Sequence, residues 1–220
     1  GGDELRNTRE VVRRRYGRLL REHKKMPDLI LMDGGQIQVE ACEDVLRNEL
    51  NLNNKLVIRK VRYEDIEQIV GINIKDWKKV YKGIIDDEIL NNLNREEKIK
   101  KWKEHYNIGN VVVAEENGII LGYCRYDDNA VYENTDIDSE IIAIYVDCDN
   151  LGKGIGKKLV EYVKTYLKNK NKTKMVIWCL EKNQNARKFY EKMGGILLSD
   201  EKYFEKEGKK YKEVGYVHNI

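Results

Sequence analysis

The residues best placed to do chemistry are Leu151-Gly152-Lys153-Gly154-Ile155-Gly156, where glycine stands at every second position ahead of a helix-like run. Glycines let a backbone come close to a ligand and adopt positive φ. Successive N–H groups at a helix N-terminus, at the positive end of its dipole, bind phosphate. The segment therefore reads as an anion cradle. It is not a P-loop, because G-x-x-x-x-G-K-[ST] is absent. It is not the dinucleotide fingerprint either, which needs G-x-G-x-x-G early in a βαβ unit. A tight strand-to-helix turn is the plain alternative for the same spacing.

Other reactive side chains are sparse. Cys42, Cys124, Cys148 and Cys179 form no C-x-x-C pair, which points to reduced thiols and a cytoplasmic protein. The three histidines, His23, His105 and His218, lie far apart and show no ligand spacing, so no metal site is expected. A net charge of +3, with 36% of residues charged and both signs interspersed, argues against a nucleic-acid partner. No apolar run is long enough to span a membrane, and the first residues carry no signal-peptide core.

The elements that must hold the cradle alternate in type. A strand is predicted at "KLVIRKV", then helices through Ile66, Ile69, Val70, Ile74 and Trp77, through "DDEILNNL", and from Asn94 as N-cap with Glu97 three residues on. "NVVVAEE" and "IILGYCRYDD" around the turn "ENG" read as a hairpin. "EIIAIYVD" is an apolar strand before the glycines, and Leu159, Val160, Val163, Tyr166 and Leu167 form one face of the helix after them. "KMVIWCLE", the helix "QNARKFYEKMG" and two late strands about Gly208 complete the pattern. Trp77 and Tyr81, four apart, read first as one buried helix stripe.

A seam lies near residue 52. Before residue 51 stand eight arginines and two lysines; after it, five and 26. This suggests two pieces of different origin, residues 1–52 and 53–220. The first reads helix, strand, helix, with Pro27 breaking the first helix and "DLILMDGG" as the strand. A lone strand cannot satisfy its own edges. It must dock on the second piece, pair with another copy in a homo-oligomer, or stay loosely ordered. A chain beginning at Asn53 is expected to fold and work without it.

The pair "IYVDCDNLGKGIGKKLVEYV" and "WCLEKNQNARKFYEKMG" resembles the GNAT acetyltransferase superfamily in order and spacing. The family's cofactor loop, Q/R-x-x-G-x-G/A, corresponds to Leu151 through Gly156, with Leu151 replacing the usual polar residue. Its N-x-x-A-x-x-F/Y-Y-x-x-x-G-F signature corresponds to Asn183, Ala186, Phe189, Tyr190 and Gly194-Gly195, with Gly195 in place of Phe, which removes a packing group. The resemblance covers roughly residues 55–220. It implies the GNAT fold, an α/β architecture with a mixed, mostly antiparallel sheet flanked by helices. It also implies acetyl transfer from acetyl-CoA, without a metal, to a small-molecule or peptide amine by direct attack in a ternary complex. By that resemblance Tyr190 protonates the leaving thiolate and Glu140 acts as base through water. Backbone N–H groups at Tyr145 and Val146 polarise the thioester, those of residues 151–156 hold the pyrophosphate, and Asn183 bonds the pantetheine arm. Trp77, Tyr81 and Trp102 lie in the helical region that walls the acceptor site. The acceptor itself stays open among a small amine, a polyamine, an amino acid, an aminoglycoside and a protein N-terminus.

The first piece, "REVVRRRYGRLL…MPDLILMDGGQIQVEACEDVLRNEL", resembles part of the C-terminal nuclease domain of UvrC, which is RNase H-like. Asp33 matches an acidic metal-holding residue there. The remaining carboxylates and histidine of that site are absent from this chain, so the fragment is expected to be catalytically dead. The arginines at 13, 14, 15, 18 and 21 read as a solvated helix face rather than a phosphate contact. A non-catalytic DNA-repair adaptor is the competing reading of the whole chain.

Overall fold

The computed structural model describes all residues except 1, 23, 25, 28–29, 32–34, 51–55, 107–108, 131 and 133–134. Asp33 and the seam at 52/53 lie outside the described residues. The chain runs α1 (Gly2–Arg21), β1 (Ile30–Leu31), α2 (Gln36–Asp44) with a wider helical turn to Glu49, β2 (Val57–Lys60), α3 (Ile66–Val80), α4 (Asp87–Asn91) and α5 (Arg95–His105). It continues through β3 (Asn110–Glu116), β4 (Ile119–Asp127), β5 (Ser139–Val146), α6 (Ile155–Asn169), β6 (Lys174–Leu180), α7 (Gln184–Lys192), β7 (Ile196–Lys206) and β8 (Lys209–Asn219). Its strands form one sheet, ordered β1-β2-β3-β4-β5-β6-β8-β7. Among the described strands only β1/β2 and β5/β6 pair in parallel. Strands β2 to β8 form the seven-stranded, mostly antiparallel sheet that the GNAT resemblance implies, and β1 adds an edge to it.

Local sequence explains most of these elements. Asn94 Oδ1 accepts from the Glu97 backbone N–H at 3.1 Å and starts α5. Asn117 and Gly118 take positive φ and turn β3 into β4. Helix α6 buries Leu159, Val160, Val163 and Leu167 against one sheet face, where Cys124, Ile141, Met175, Ile177 and Tyr216 meet them. The other face carries Val111, Val113, Ile120 and Tyr123 under α3, with Trp102 of α5 beside them.

Gly195 shows how the sheet compensates a departure from the family pattern. A Cβ there would lie 2.7 Å from His218 Nε2 and 2.9 Å from the Tyr190 carbonyl oxygen. The fully buried His218 ring thus fills the space that a large side chain at residue 195 would need. The packing group lost at 195 is supplied from β8. Burial pushes the His218 imidazole down to about 4, so the ring is neutral at pH 7.

The first piece docks. Ile30 and Leu31 pair with Val57 and Ile58, covering the edge of β2. Val12, Tyr16, Ile30, Cys42, Val45 and Leu46 form a small core of their own. Ion pairs cross to the sheet: Arg47 to Glu115, and Glu43 to Arg62 at 3.4 Å. The α1 arginines answer largely to local carboxylates: Arg9 to Asp44, Arg13 to Glu49 and Glu10, Arg14 to Glu10, and Arg18 to Glu22. Arg14 and Arg18 thus stay on the exposed side with partners four residues away, whereas Arg9 and Arg13 reach across to α2 and the turn after it.

Candidate active site

Two strands part company at the middle of the sheet. β5 and β6 pair at Ser139–Met175, Glu140–Val176 and Ile141–Ile177, and no further. Beyond that point β5 stays on β4 as far as Val146, and β6 stays on β8 as far as Leu180. The cause is a bulge. Tyr126 of β4 faces Ile141 but Arg125 faces Ala143, so Ile142 is an extra residue that bends β5 away. The result is a V whose inner backbone groups have no strand partner. Such groups are hydrogen-bond donors and acceptors in search of a ligand.

The glycine segment caps the β5 arm. A 3₁₀ turn at Cys148–Asn150 leads out of β5, and Gly152 (φ 80°) and Gly154 (φ 77°) take left-handed conformations before α6 begins at Ile155. Leu151, Gly152, Lys153 and Gly154 are exposed, while Ile155 is buried and anchors the helix start. The first N–H groups of α6 have no partner within the helix. A Cβ on Gly156 would meet Phe189 at 3.3 Å, so this glycine lets α7 pack on the first turn of α6. Lys153 Nζ bonds Asn150 Oδ1 at 2.7 Å, and Lys75 binds Asp147 at 2.6 Å, which fixes the loop from both sides. The arrangement fits a diphosphate.

Tyr190 of α7 approaches the V from the α6 side. It is 5% exposed, its ring lies against Phe189 and Tyr216, and its titratable neighbours are Cys179, Cys124 and Tyr145. Burial pushes the phenol well above its ordinary range, so it is protonated at neutral pH and able to donate. Asn183 is the N-cap of α7. Its Oδ1 accepts from the Ala186 N–H at 3.2 Å, which commits the oxygen and leaves the amide N–H groups for a ligand.

On the opposite face Tyr145 stacks on Tyr123 with centroids 5.4 Å apart, and its hydroxyl accepts from Trp77 Nε1 at 2.9 Å. Trp77 meets Tyr81 edge-on at 5.2 Å and Phe204 at 6.0 Å. The pair predicted as acceptor residues is half-buried in this cluster with Ile85, Ile89, Leu90, Leu180 and Tyr211. Burial also raises the Tyr81 phenol, and the Tyr145 phenol adds to the effect.

The structure does not bring Glu140 to Tyr145. Glu140 sits at the closed end of the V, five residues earlier, about 16 Å along an extended strand. Its carboxylate lies 3.9 Å from Lys202 Nζ. Sequence reasoning missed Glu213, half-buried opposite Leu180 at the open end of the β6 arm. Burial raises its carboxyl, Lys202 works against that and Glu140 adds to it. It shares a face with Tyr211 by strand alternation, but no local motif flags a lone Glu late in the chain.

Sequence reasoning also missed Asp76, which is 3% exposed and accepts from the Cys148 N–H at 3.1 Å. Among the described residues Asp76, Asp147 and Cys148 bring ligand-type atoms within 4.8 Å of one another, and Lys75 already engages Asp147. Burial pushes Asp76 up to about 6. A raised acid pKa destabilises the fold: the cost is absent below about pH 3.8 and grows as pH rises to about 6. Asp76→Asn keeps the acceptor for Cys148 and removes that cost. It is expected to raise stability at pH 7.5 by about 1–2 kcal/mol, part of the ~3 kcal/mol that two pKa units represent. The gain should vanish by pH 4 in urea unfolding; an equal effect at both pH values would contradict this account.

A family model for the UvrC RNAse H endonuclease domain matches residues 1–99. The UvrABC system protein C of Lactobacillus helveticus is 96% identical over 53 residues, 24% of this chain and 9% of that protein. The protein from Lacticaseibacillus casei is 44% identical over 98 residues, 40% of this chain and 16% of its own length. The chain thus spans only a small part of these relatives. Among solved structures, an N-acetyltransferase from Thermoplasma acidophilum in complex with coenzyme A matches with TM-score 0.56 at 20% identity, over 73% of this chain and 98% of that one. A Salmonella typhimurium protein with its cofactor acetyl-CoA matches with TM-score 0.55 at 19% identity, covering 74% and 93%. The ribosomal-protein-alanine N-acetyltransferase of Brucella melitensis matches with TM-score 0.56 at 20% identity, covering 74% and 99%. These likenesses carry the fold. The model of the acetyltransferase (GNAT) family matches residues 75–195, which include the last turns of α3, the V, the glycine segment and α7. With that match over more than half its length, the chain belongs to the GNAT family of acetyltransferases.

Proposed function

We propose that the protein transfers the acetyl group of acetyl-CoA to a primary amine in a ternary complex. The observation that carries this reading is the V between β5 and β6, opening between the glycine cradle on one side and Tyr190 on the other. The cradle, Leu151 to Gly156, holds the diphosphate through backbone N–H groups. The Asn183 amide steadies the pantetheine arm where it enters the V. The backbone N–H of Val146, which strand alternation turns away from β4 and into the V, polarises the thioester carbonyl as charge develops on its oxygen, whereas the Tyr145 N–H faces β4.

The amine nitrogen attacks the carbonyl carbon and a C–N bond forms. The C–S bond then breaks and the electron pair leaves on sulfur. The thiolate takes its proton from Tyr190. The amine proton passes through water to a carboxylate of the acceptor face, Glu213 at the open end, with Glu140 at the closed end reached only through a longer chain of waters. No redox partner and no metal enters this balance. The domain boundary near 52/53 is part of the same reading: the acetyltransferase unit is residues 53–220, with a UvrC-like fragment docked on its edge.

The test has two parts. Acetyl-CoA at 100 times its Kd should stabilise the protein by about 2.7 kcal/mol. An acceptor screen that reads free CoA should then find an amine. No stabilisation at saturating acetyl-CoA, combined with salt-sensitive binding of duplex DNA, would reverse the reading in favour of a DNA adaptor.

A further inference from the structure

Lys98 is a cation with no ion-paired carboxylate among the described residues. It projects from α5 and is half-buried. Its Nζ donates to Asn73 Oδ1 at 3.0 Å and stands 5.4 Å from the centroid of the Trp77 ring. Among the described residues no carboxylate lies within ion-pair distance of it. Asn73 in turn donates to the Tyr123 hydroxyl at 3.0 Å, and Tyr123 stacks on Tyr145. Trp77 bonds the Tyr145 hydroxyl on its other side. Lys98 is therefore built into the aromatic wall that faces the open V, one ring away from Tyr145.

A half-buried ammonium held by one amide and one π face is under-satisfied, because it has three donors. Burial accordingly pushes its pKa down, Lys206 and Lys101 add to the effect, and the Glu97 carboxylate opposes it only through space. The carboxylates around the wall are engaged elsewhere. Asp86 binds Lys209 at 2.8 Å and Tyr211 at 2.7 Å, Glu97 binds Lys101 at 2.6 Å, and Glu140 lies by Lys202. Glu213 has Lys202 and Glu140 as its charged neighbours. What the wall lacks, among the described residues, is an anion that bonds Lys98 directly.

We propose that the acceptor is a small amine that also carries a carboxylate, and that Lys98 receives that carboxylate over the Trp77 edge while the amine faces the V. This rests on the acetyltransferase reading above and narrows it. A polyamine or an aminoglycoside brings only positive charge to a wall where Lys98, Lys101 and Lys206 already repel it. An amino acid supplies the missing anion and the nucleophile together.

The experiment pairs each free L-amino acid with its carboxamide, plus spermidine and kanamycin, and measures kcat/KM by release of free CoA. The full chain should favour at least one acid over its amide by about 10–100-fold, the range of a hydrogen-bonded charge contact. Lys98→Met should collapse that ratio toward one, and Lys98→Arg should restore part of it. Lys168→Met, at an exposed residue in the last turn of α6, should leave the ratio as it was. Preference for the amides, equal use of both, no use of any acid, or a ratio untouched by Lys98→Met overturns the proposal. Should the variants not fold, the wild-type ratio alone decides it. Calorimetry with acetyl-CoA separates the two levels: absence of binding overturns the underlying reading, whereas binding with no preference for acids overturns only the acceptor class.

Discussion

Tyr190→Phe should bind acetyl-CoA as the parent chain does and turn over about 10²–10⁴-fold more slowly, the usual cost of removing a general acid. The substitution deletes one oxygen and keeps the ring. Its packing against Phe189 and Tyr216 survives, so the fold should not change. The raised phenol pKa has a consequence for the pH profile. Tyr190 remains protonated across the ordinary assay range, so loss of its proton should not limit the parent enzyme at any pH below about 9. The basic limb of the profile must then come from another group. Single-turnover kinetics at saturating acetyl-CoA give the cleanest measurement. Unchanged turnover when chemistry limits the rate would remove Tyr190 from the mechanism.

Arg59→Met should cost about 3–5 kcal/mol, because it strands buried carboxylates. Arg59 is 3% exposed. It binds Asp65 with two nitrogens at 2.6 and 2.8 Å and Glu115 with a third at 2.7 Å. Asp65 also accepts from the Arg62 backbone N–H at 2.7 Å, and Glu115 from the Gly118 N–H at 2.8 Å. Burial works against the charge on Glu115, but Arg47 and Arg59 outweigh it and hold its carboxyl below the ordinary range. Urea unfolding at pH 7 measures the loss; less than about 1 kcal/mol would place the group among surface ion pairs. The network also bears on the docked first piece. A chain beginning at Asn53 loses Glu43 and Arg47 together, one acid and one base, and keeps the Arg59–Asp65–Glu115 centre intact. We therefore expect it to fold, bind acetyl-CoA and turn over. It also exposes the β2 edge that Ile30 and Leu31 cover, so its oligomeric state is the property to compare.

Local signals carried much of the architecture. Helix periodicity, the Asn94 cap, the Asn117-Gly118 turn and the spaced glycines are all short-range patterns, and the elements formed where those patterns stand. The residues proposed for the site stand in contiguous motifs, as at Gly152, Gly154, Asn183 and Tyr190, and such motifs can be read from the sequence. It was illegible where distant segments meet. The bulge at Ile142 opens the V, yet "EIIAIYV" reads as an uninterrupted apolar strand, because the extra residue is defined only against β4. Trp77 reads as a helix stripe until its indole N–H finds Tyr145, 68 residues away. Gly195 reads as a lost packing group until His218 of β8 is seen to occupy the space. Lys98 is one of many lysines in a charged helix, and only its contacts with Asn73 and Trp77 set it apart. Docking of the first piece is of the same kind. An apolar "LILM" demands a partner strand, but nothing local names β2 as that partner.

The most direct test of the central claim is a crystal structure of the full chain soaked with acetyl-CoA. The account predicts diphosphate oxygens within about 3.2 Å of backbone N–H groups in Leu151 to Gly156. It also predicts the pantetheine arm between β5 and β6, beside Asn183, with the thioester sulfur on the Tyr190 side. Density for the diphosphate away from that loop, or a V that stays closed to the pantetheine arm, would contradict it.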